Sequence, residues 1–228
     1  MTIFNFALKR SFRNKTNLIF LTMFPVAAIF LPLQEYWPLV PLGYQYFGIL
    51  LLFVSIRLTG IMIEDHQKGV VKRLAAAPIT HFHYLSQNLL AFAVITIAQS
   101  SIFIFGGVLY GHELYKPLSL LILYIVFSFS AIALCLAWNS LYRSKESSFL
   151  VFMSVIVLMA LLGGMIVPSE ILPESLEKIA VVFPTYWLSE GIEWVVRGES
   201  ITGFLLINGV LLLYTFLFLI VGSIRRIN

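Results

Sequence analysis

Six apolar stretches, at residues 17–36, 42–62, 85–110, 118–141, 149–167 and 204–224, constrain this chain more than any other feature. Each is long enough to cross about 30 Å of hydrocarbon as a helix. The composition agrees. Hydrophobic residues make up 60% and charged residues 11%, with a mean hydropathy of +0.94, whereas soluble domains carry about 25% charge. The chain therefore reads as an all-α polytopic membrane protein, six transmembrane helices in a single domain over residues 1–228. No connector is long enough to fold alone. Pro25 and Pro32 fall in the first stretch, where a membrane helix tolerates a kink if neighbours satisfy the freed carbonyls. That stretch follows a long basic region and precedes no small-residue cleavage site, so it is not expected to be a signal peptide.

Charge sets the orientation. Of the fifteen Lys and Arg residues, twelve fall at the N-terminus, in the connector of stretches two and three counted with Arg57 at the end of stretch two, after stretch four and at the C-terminus. Only Lys116, Lys178 and Arg197 fall on the other side, while eight of the eleven acidic residues do. Basic loops stay inside, which predicts both termini in the cytoplasm; the expected location is the cell's inner (cytoplasmic) membrane.

Three segments outside the spans are amphipathic. At the N-terminus Ile3, Phe4, Ala7, Leu8 and Phe12 share a helical side opposite Asn5, Lys9 and Arg13. This predicts an interfacial helix over residues 1–16 along the anionic inner leaflet, the alternative being a frayed basic tail. The connector at 63–78 places Ile63, Val70, Leu74 and Ala77 on one side, with Glu64, Asp65, Lys68, Lys72 and Arg73 on the other. Hydrocarbon would not tolerate that charged side, so the helix lies on the membrane surface or against a partner. The loop at 168–203 reads as two short helices on the extracellular side. Leu172, Leu176, Ile179 and Phe183 mark the first, with Pro173 at its start; Pro184 interrupts, and Trp187, Gly191, Trp194 and Val195 mark the second. Glu193 and Arg197 form an i, i+4 pair and Gly198 suits a C-terminal cap. Tyr186, Trp187 and Trp194 are the expected interfacial anchors.

Several chemistries find no support. The chain lacks a Gly-x-x-x-x-Gly-Lys-Ser/Thr phosphate loop, a His-Glu-x-x-His helix and a Gly-x-Ser-x-Gly elbow. His81 and His83, beside His66, invite a metal reading, but they open a membrane helix and read as solvated interfacial histidines. Cys135 is the sole cysteine, and it lies in an apolar run. No disulfide within the chain and no cysteine metal site is expected. The net charge of +4 is scattered, which points to no nucleic-acid partner. Ionisable groups deep in the spans are scarce, which disfavours an ion-coupled secondary carrier. An intramembrane enzyme or scaffold would need convergent polar residues at membrane depth. Asn88, Gln99, Ser100, Ser101, Asn139 and Asn208 read instead as helix–helix glue, with lining of a path as the alternative.

Glu64, Gly69, Leu74 and Pro78, followed at once by the third span, resemble the connector of type-2 ATP-binding-cassette (ABC) export permeases. The run from Gly163 to Pro168, then Leu172-Pro173 and Phe183-Pro184-Thr185-Tyr186-Trp187, resembles that family's outer loop. The likeness covers essentially the whole chain. It implies a membrane permease with no catalytic site, metal or cofactor of its own, exporting a hydrophobic or amphipathic substrate such as a drug, antimicrobial peptide, lipid or glycan. ATP and magnesium would reside on a separate ABC-type ATPase subunit, and a second copy or paralogue of the permease would complete the assembly. The connector would be the coupling helix, docking the ATPase through Glu64, Asp65, Gly69, Val70, Leu74 and Pro78. Val70 and Leu74 would anchor in a groove with charges at the rim; Gly69 would permit close approach, and Pro78 would end the helix. The loop at 168–203 would be a re-entrant lid over the path, with Gly164, Pro168, Pro173, Pro184, Tyr186, Trp187 and Glu190 as its candidate residues.

Overall fold

The computed structural model describes residues 2–13, 15–32, 40–69, 80–167, 173–198 and 201–224. Among these residues the fold is all helical. Helices α1 (Thr2–Arg13) and α2 (Lys15–Ile29) precede α3 (Leu42–Thr59), α4 (Ile61–Gln67), α5 (His81–Tyr110) and α6 (Pro117–Asn139). Then follow α7 (Lys145–Leu162), α8 (Glu174–Ala180), α9 (Pro184–Arg197) and α10 (Ile201–Ile224). Local chemistry sets many of the ends. Thr80 caps α5 by accepting from the His83 N–H at 3.2 Å, and Ser144 caps α7 by accepting from Ser147 at 3.3 Å. Pro117 and Pro184 open α6 and α9, where a missing N–H costs nothing.

Helix α6 is the hub, packed against α3, α5, α9 and α10. Its Tyr124 hydroxyl donates to the Tyr44 carbonyl of α3 at 2.6 Å, and both side chains are fully buried. Phe47 of α3 stacks on Phe103 of α5 at 4.1 Å, and the Tyr124 ring closes this aromatic core edge-on at 5.1 Å. A second core joins Ala7 of α1 to Leu58 and Met62, to Tyr84, Leu85 and Phe92 of α5, and to Ile132 and Leu136 of α6. The predicted N-terminal helix therefore forms and is packed onto the bundle by its apolar side.

Five helical segments among the described residues are long and apolar enough to cross a membrane: the continuous Leu42–Gln67 unit, α5, α6, α7 and α10. The expected first span, 17–36, is shorter. Helix α2 ends at Ile29, because Pro32 has no N–H and disfavours helical backbone in the residue before it. Pro25 lies inside α2, and residues 33–39 lie outside the described ones.

The connector departs from expectation more sharply. A single helix over 63–78 does not form. Ile61, Met62 and Ile63 are buried and extend the α3 span into α4, carrying Glu64 and Asp65 with them. Helix α4 stops at Gln67, and Gly69 follows with φ of +66°, the left-handed cap conformation that glycine enters most readily. Among the described residues a Cβ at Gly69 would meet nothing within 4 Å, so it is the turn's left-handed backbone that calls for glycine within this chain. Val70, Leu74 and Pro78 lie outside the described residues.

Candidate functional site

At one end of the bundle the basic residues gather around two carboxylates. Adjacent positions on a helix point about 100° apart, so Glu64 and Asp65 of α4 reach different neighbours. The Arg10 guanidinium of α1 spans both, donating to Glu64 Oε2 at 2.8 Å and to Asp65 Oδ1. Lys145, the first residue of α7, donates to Glu64 Oε1 at 2.5 Å. Lys68 lies 3.9 Å from the same carboxylate but is largely exposed. Asp65 is nearly buried and also accepts from the Tyr84 hydroxyl of α5 at 3.4 Å. Asp65 is thus buried and Glu64 part-exposed, both in charge-assisted bonds with neighbouring helices. Their placement has a simple cause: α4 continues α3, so its rotational phase is set by the buried span and not by an independent surface helix.

Polar contacts continue inward from this joint. The Gln67 amide donates to the Arg143 carbonyl at 2.8 Å, tying α4 to the turn between α6 and α7. Below it, Asn139 of α6 donates to the Thr59 hydroxyl at 2.8 Å and accepts from Ser148 of α7 at 2.6 Å. Asn139 is thereby the helix–helix glue expected of it, joining α3, α6 and α7. Thr59 and Ser148 were not singled out from sequence, and a hydroxyl among apolar neighbours gives little sign of its partner. Beside this network opens a cavity of about 500 Å³, with Arg10, Arg13, Arg57, Glu64, Asn139 and Lys145 on its walls. The Arg57 guanidinium lies 4.4 Å from the centre of the Phe20 ring of α2.

The other end of α7 holds the lid candidates. Gly164 takes a φ of +77° just after α7, and Met165 beyond it is fully buried. Pro168 lies outside the described residues. Pro173 precedes α8 as its N-cap and Pro184 opens α9. Helix α9 is set into the bundle: Thr185, Leu188, Ile192 and Val195 are at most 1% exposed. The Thr185 hydroxyl donates to the Met159 carbonyl of α7 at 2.7 Å. A Cβ at Gly48 of α3 would overlap Leu188 and Met165, so the helices meet at van der Waals contact. The expected Glu193–Arg197 pair forms at 2.9 Å and Gly198 caps α9 at φ of +69°. Burial, and then the Glu190 carboxylate beside it, push the Tyr186 phenol above its ordinary value. Trp187 donates to the Val181 carbonyl at 2.9 Å, and Tyr214 of α10 donates to Val182 at 2.8 Å, fastening the turn before α9. Trp194 is not an interfacial anchor. It is buried and stacks on Phe204 at 4.8 Å, with the Lys116 ammonium 5.0 Å from its ring.

The candidate residues therefore form two groups and not one. Lys145 and Met159 are separated by about 21 Å along α7 at 1.5 Å per residue. Glu64 touches the first and Thr185 the second.

Comparison with known proteins supports the same frame. The chain is 25% identical over 238 residues to the protein named "Putative transport permease YvfS" of Bacillus subtilis (strain 168), covering 96% of this chain and 94% of that one. It is also 25% identical over 172 residues to the "Linearmycin resistance permease protein LnrN" of the same organism, across 73% of this chain and 45% of the relative. Residues 39–224 match the family described as ABC-2 family transporter protein. With a family match over most of its length and five long apolar helices among the described residues, this chain belongs to the ABC-2 transporter family and is a transport permease subunit of its membrane-spanning kind.

Proposed function

We propose that this permease is the membrane half of an ATP-driven exporter in the cell's inner membrane, with six spans and both termini in the cytoplasm. A separate ABC-type ATPase binds ATP and magnesium, and two permease copies, or this chain and a paralogue, enclose the path. The ATPase docks on the connector after Gly69, where Val70 and Leu74 provide the apolar anchors and Pro78 closes the segment before α5. Glu64 and Asp65 act behind the contact surface and not on it. One observation carries the reading: the two carboxylates next to the connector are bonded to α1, α5 and α7. A force on the connector reaches three helices through them, and α7 bears the Thr185 contact of the lid at its far end. The load is a hydrophobic or amphipathic compound, and the resistance role in the printed name of LnrN favours a drug-like one.

The test is to replace Leu74 with Asp and Lys145 with Ala separately in the full permease, co-expressed with its ATPase. A charge in an apolar docking groove costs several kcal/mol, so Leu74→Asp abolishes copurification of the ATPase while membrane insertion persists. Lys145→Ala keeps the ATPase bound but lowers export relative to ATP hydrolysed. Full coupling in both variants overturns the proposal.

A further inference from the structure

At the end of the bundle away from the Glu64 joint, a buried hydroxyl depends on a group that titrates. Tyr44 of α3 is fully buried, and its hydroxyl lies 3.1 Å from Nδ1 of His112, in the turn between α5 and α6. Backbone geometry holds the imidazole there. Gly111 ends α5 with φ of +104°, and the His112 N–H donates to the Gly107 carbonyl at 2.9 Å. A Cβ on Gly107 would overlap the Tyr44 hydroxyl and lie 3.2 Å from His112 Nδ1, so the pair passes directly over a residue with no side chain. Four helices converge on this contact. The Tyr44 carbonyl accepts from Tyr124 of α6. The imidazole meets the Tyr110 ring of α5 edge-on at 5.4 Å, and Tyr110 meets Phe30, just past α2, at 5.0 Å.

Hydrogen-bond accounting fixes the protonation state. A hydroxyl buried among apolar rings needs an acceptor for its proton, and among the described residues His112 Nδ1 is the one it meets. That nitrogen accepts only in the neutral imidazole that carries its proton on Nε2. On an imidazolium both nitrogens donate, and the Tyr44 proton is left stranded in the core. The other titratable groups facing the ring, Tyr44 of α3 and Tyr110 of α5, are uncharged near neutral pH. Glu113 follows on the same turn, with no ion pair between them. Burial holds the imidazole below its ordinary value of 6.5.

We propose that the Tyr44–His112 pair is an acid-released latch: with the imidazole neutral it ties together the outer ends of α2, α3, α5 and α6, and protonation of His112 opens it. Because the folded protein favours the neutral ring, the latch stabilises fully above about pH 6.5 and its contribution is lost as the pH falls below that value. The outward placement of this end rests on the orientation proposed above; the latch itself does not. The test is thermal unfolding of the full permease in nanodiscs, which expose both faces, from about pH 8 to about pH 5. Over that range the unaltered chain is expected to lose about 3 °C more than His112→Gln. Tyr44→Phe, which has no hydroxyl proton to strand, is expected to lose little more than His112→Gln. Side-chain NMR of the histidines in the same samples reads the protonation directly, and His112 is expected to take up its proton at a lower pH in the unaltered chain than in Tyr44→Phe. Equal acid losses in the unaltered chain and His112→Gln overturn the titrating group. An unchanged His112 midpoint in Tyr44→Phe puts burial alone at work and overturns the latch. Neither readout involves the ATPase, so failure here leaves the exporter reading intact.

Discussion

Replacing Arg10 with Ala should do more damage than its place near the chain terminus suggests. Its guanidinium bonds Glu64 at 2.8 Å and also Asp65. Glu64 keeps Lys145 at 2.5 Å, so its charge remains compensated. Asp65 is worse placed: its side chain is 9% exposed, and among the described residues its other polar contact is the Tyr84 hydroxyl at 3.4 Å. Two unit charges 4 Å apart attract by about 4 kcal/mol at an effective dielectric near 20. Removing one member of a fully buried pair costs about 3–5 kcal/mol. The Arg10 side chain is 22% exposed, so water recovers part of that cost, and we expect a loss of about 2–3 kcal/mol. For a domain of this size that lowers Tm by about 5–10 °C. Thermal unfolding of the full chain in detergent, followed by tryptophan fluorescence, measures it. Lys68→Ala is the control, since Lys68 is 67% exposed and 3.9 Å from Glu64; it should cost under about 0.5 kcal/mol. Adding Asp65→Asn to Arg10→Ala removes the stranded charge and should restore more than half of the loss, a coupling of about 1–2 kcal/mol. If Arg10→Ala costs no more than Lys68→Ala, or if its effect simply adds to that of Asp65→Asn, the joint is not electrostatic and the reasoning fails.

Other substitutions probe the packing around it. Gly163→Ala places a methyl 2.6 Å from Thr185 Cβ and 2.7 Å from the Met159 carbonyl, and should cost about 2–3 kcal/mol in thermal unfolding. Gly209→Ala in α10, where a Cβ meets nothing within 4 Å, should be neutral or stabilising by up to about 1 kcal/mol. Tyr124→Phe removes the donor to the Tyr44 carbonyl and should lose about 1 kcal/mol, read as a lower denaturation midpoint at unchanged slope. Gly69→Ala puts a side chain into the left-handed region and should cost about 1 kcal/mol. Gly69→Asn should cost less, and hydrogen exchange of the α4 amides reports both.

How far the sequence reached depends on which force positions each part. Long apolar runs bury themselves in any arrangement, so the helices at 42–67, 81–110, 117–139, 145–162 and 201–224 were legible to within a few residues. The two short helices at 174–180 and 184–197 were legible too, because Pro173, Pro184, Gly198 and the Glu193–Arg197 pair act through local backbone chemistry. The ion pairs of Arg10 were not. Residues 54 and 55 positions apart meet only once α1 has packed, and a charged side of a periodic pattern does not say whether water or an arginine faces it. Trp194 was misplaced for the same reason. An amphipathic ring suits an interface or a buried stack equally well, and Phe204 and Lys116 decide between them. The break after Gln67 lies at Gly69, whose left-handed backbone leaves no mark on the periodicity of the side chains around it.

Helix α7 has 18 residues and contains neither proline nor glycine between Lys145 and Leu162. Sharp bends in helices nearly always need a proline, a small-residue pair or an inserted turn. Without a hinge, a helix about 27 Å long translates or rotates as one piece. Glu64 grips its first residue and Thr185 its last turn, so a displacement of an ångström at one grip arrives almost undiminished at the other. In mechanical terms α7 is built as a pushrod, unlike α2, which carries Pro25 inside it.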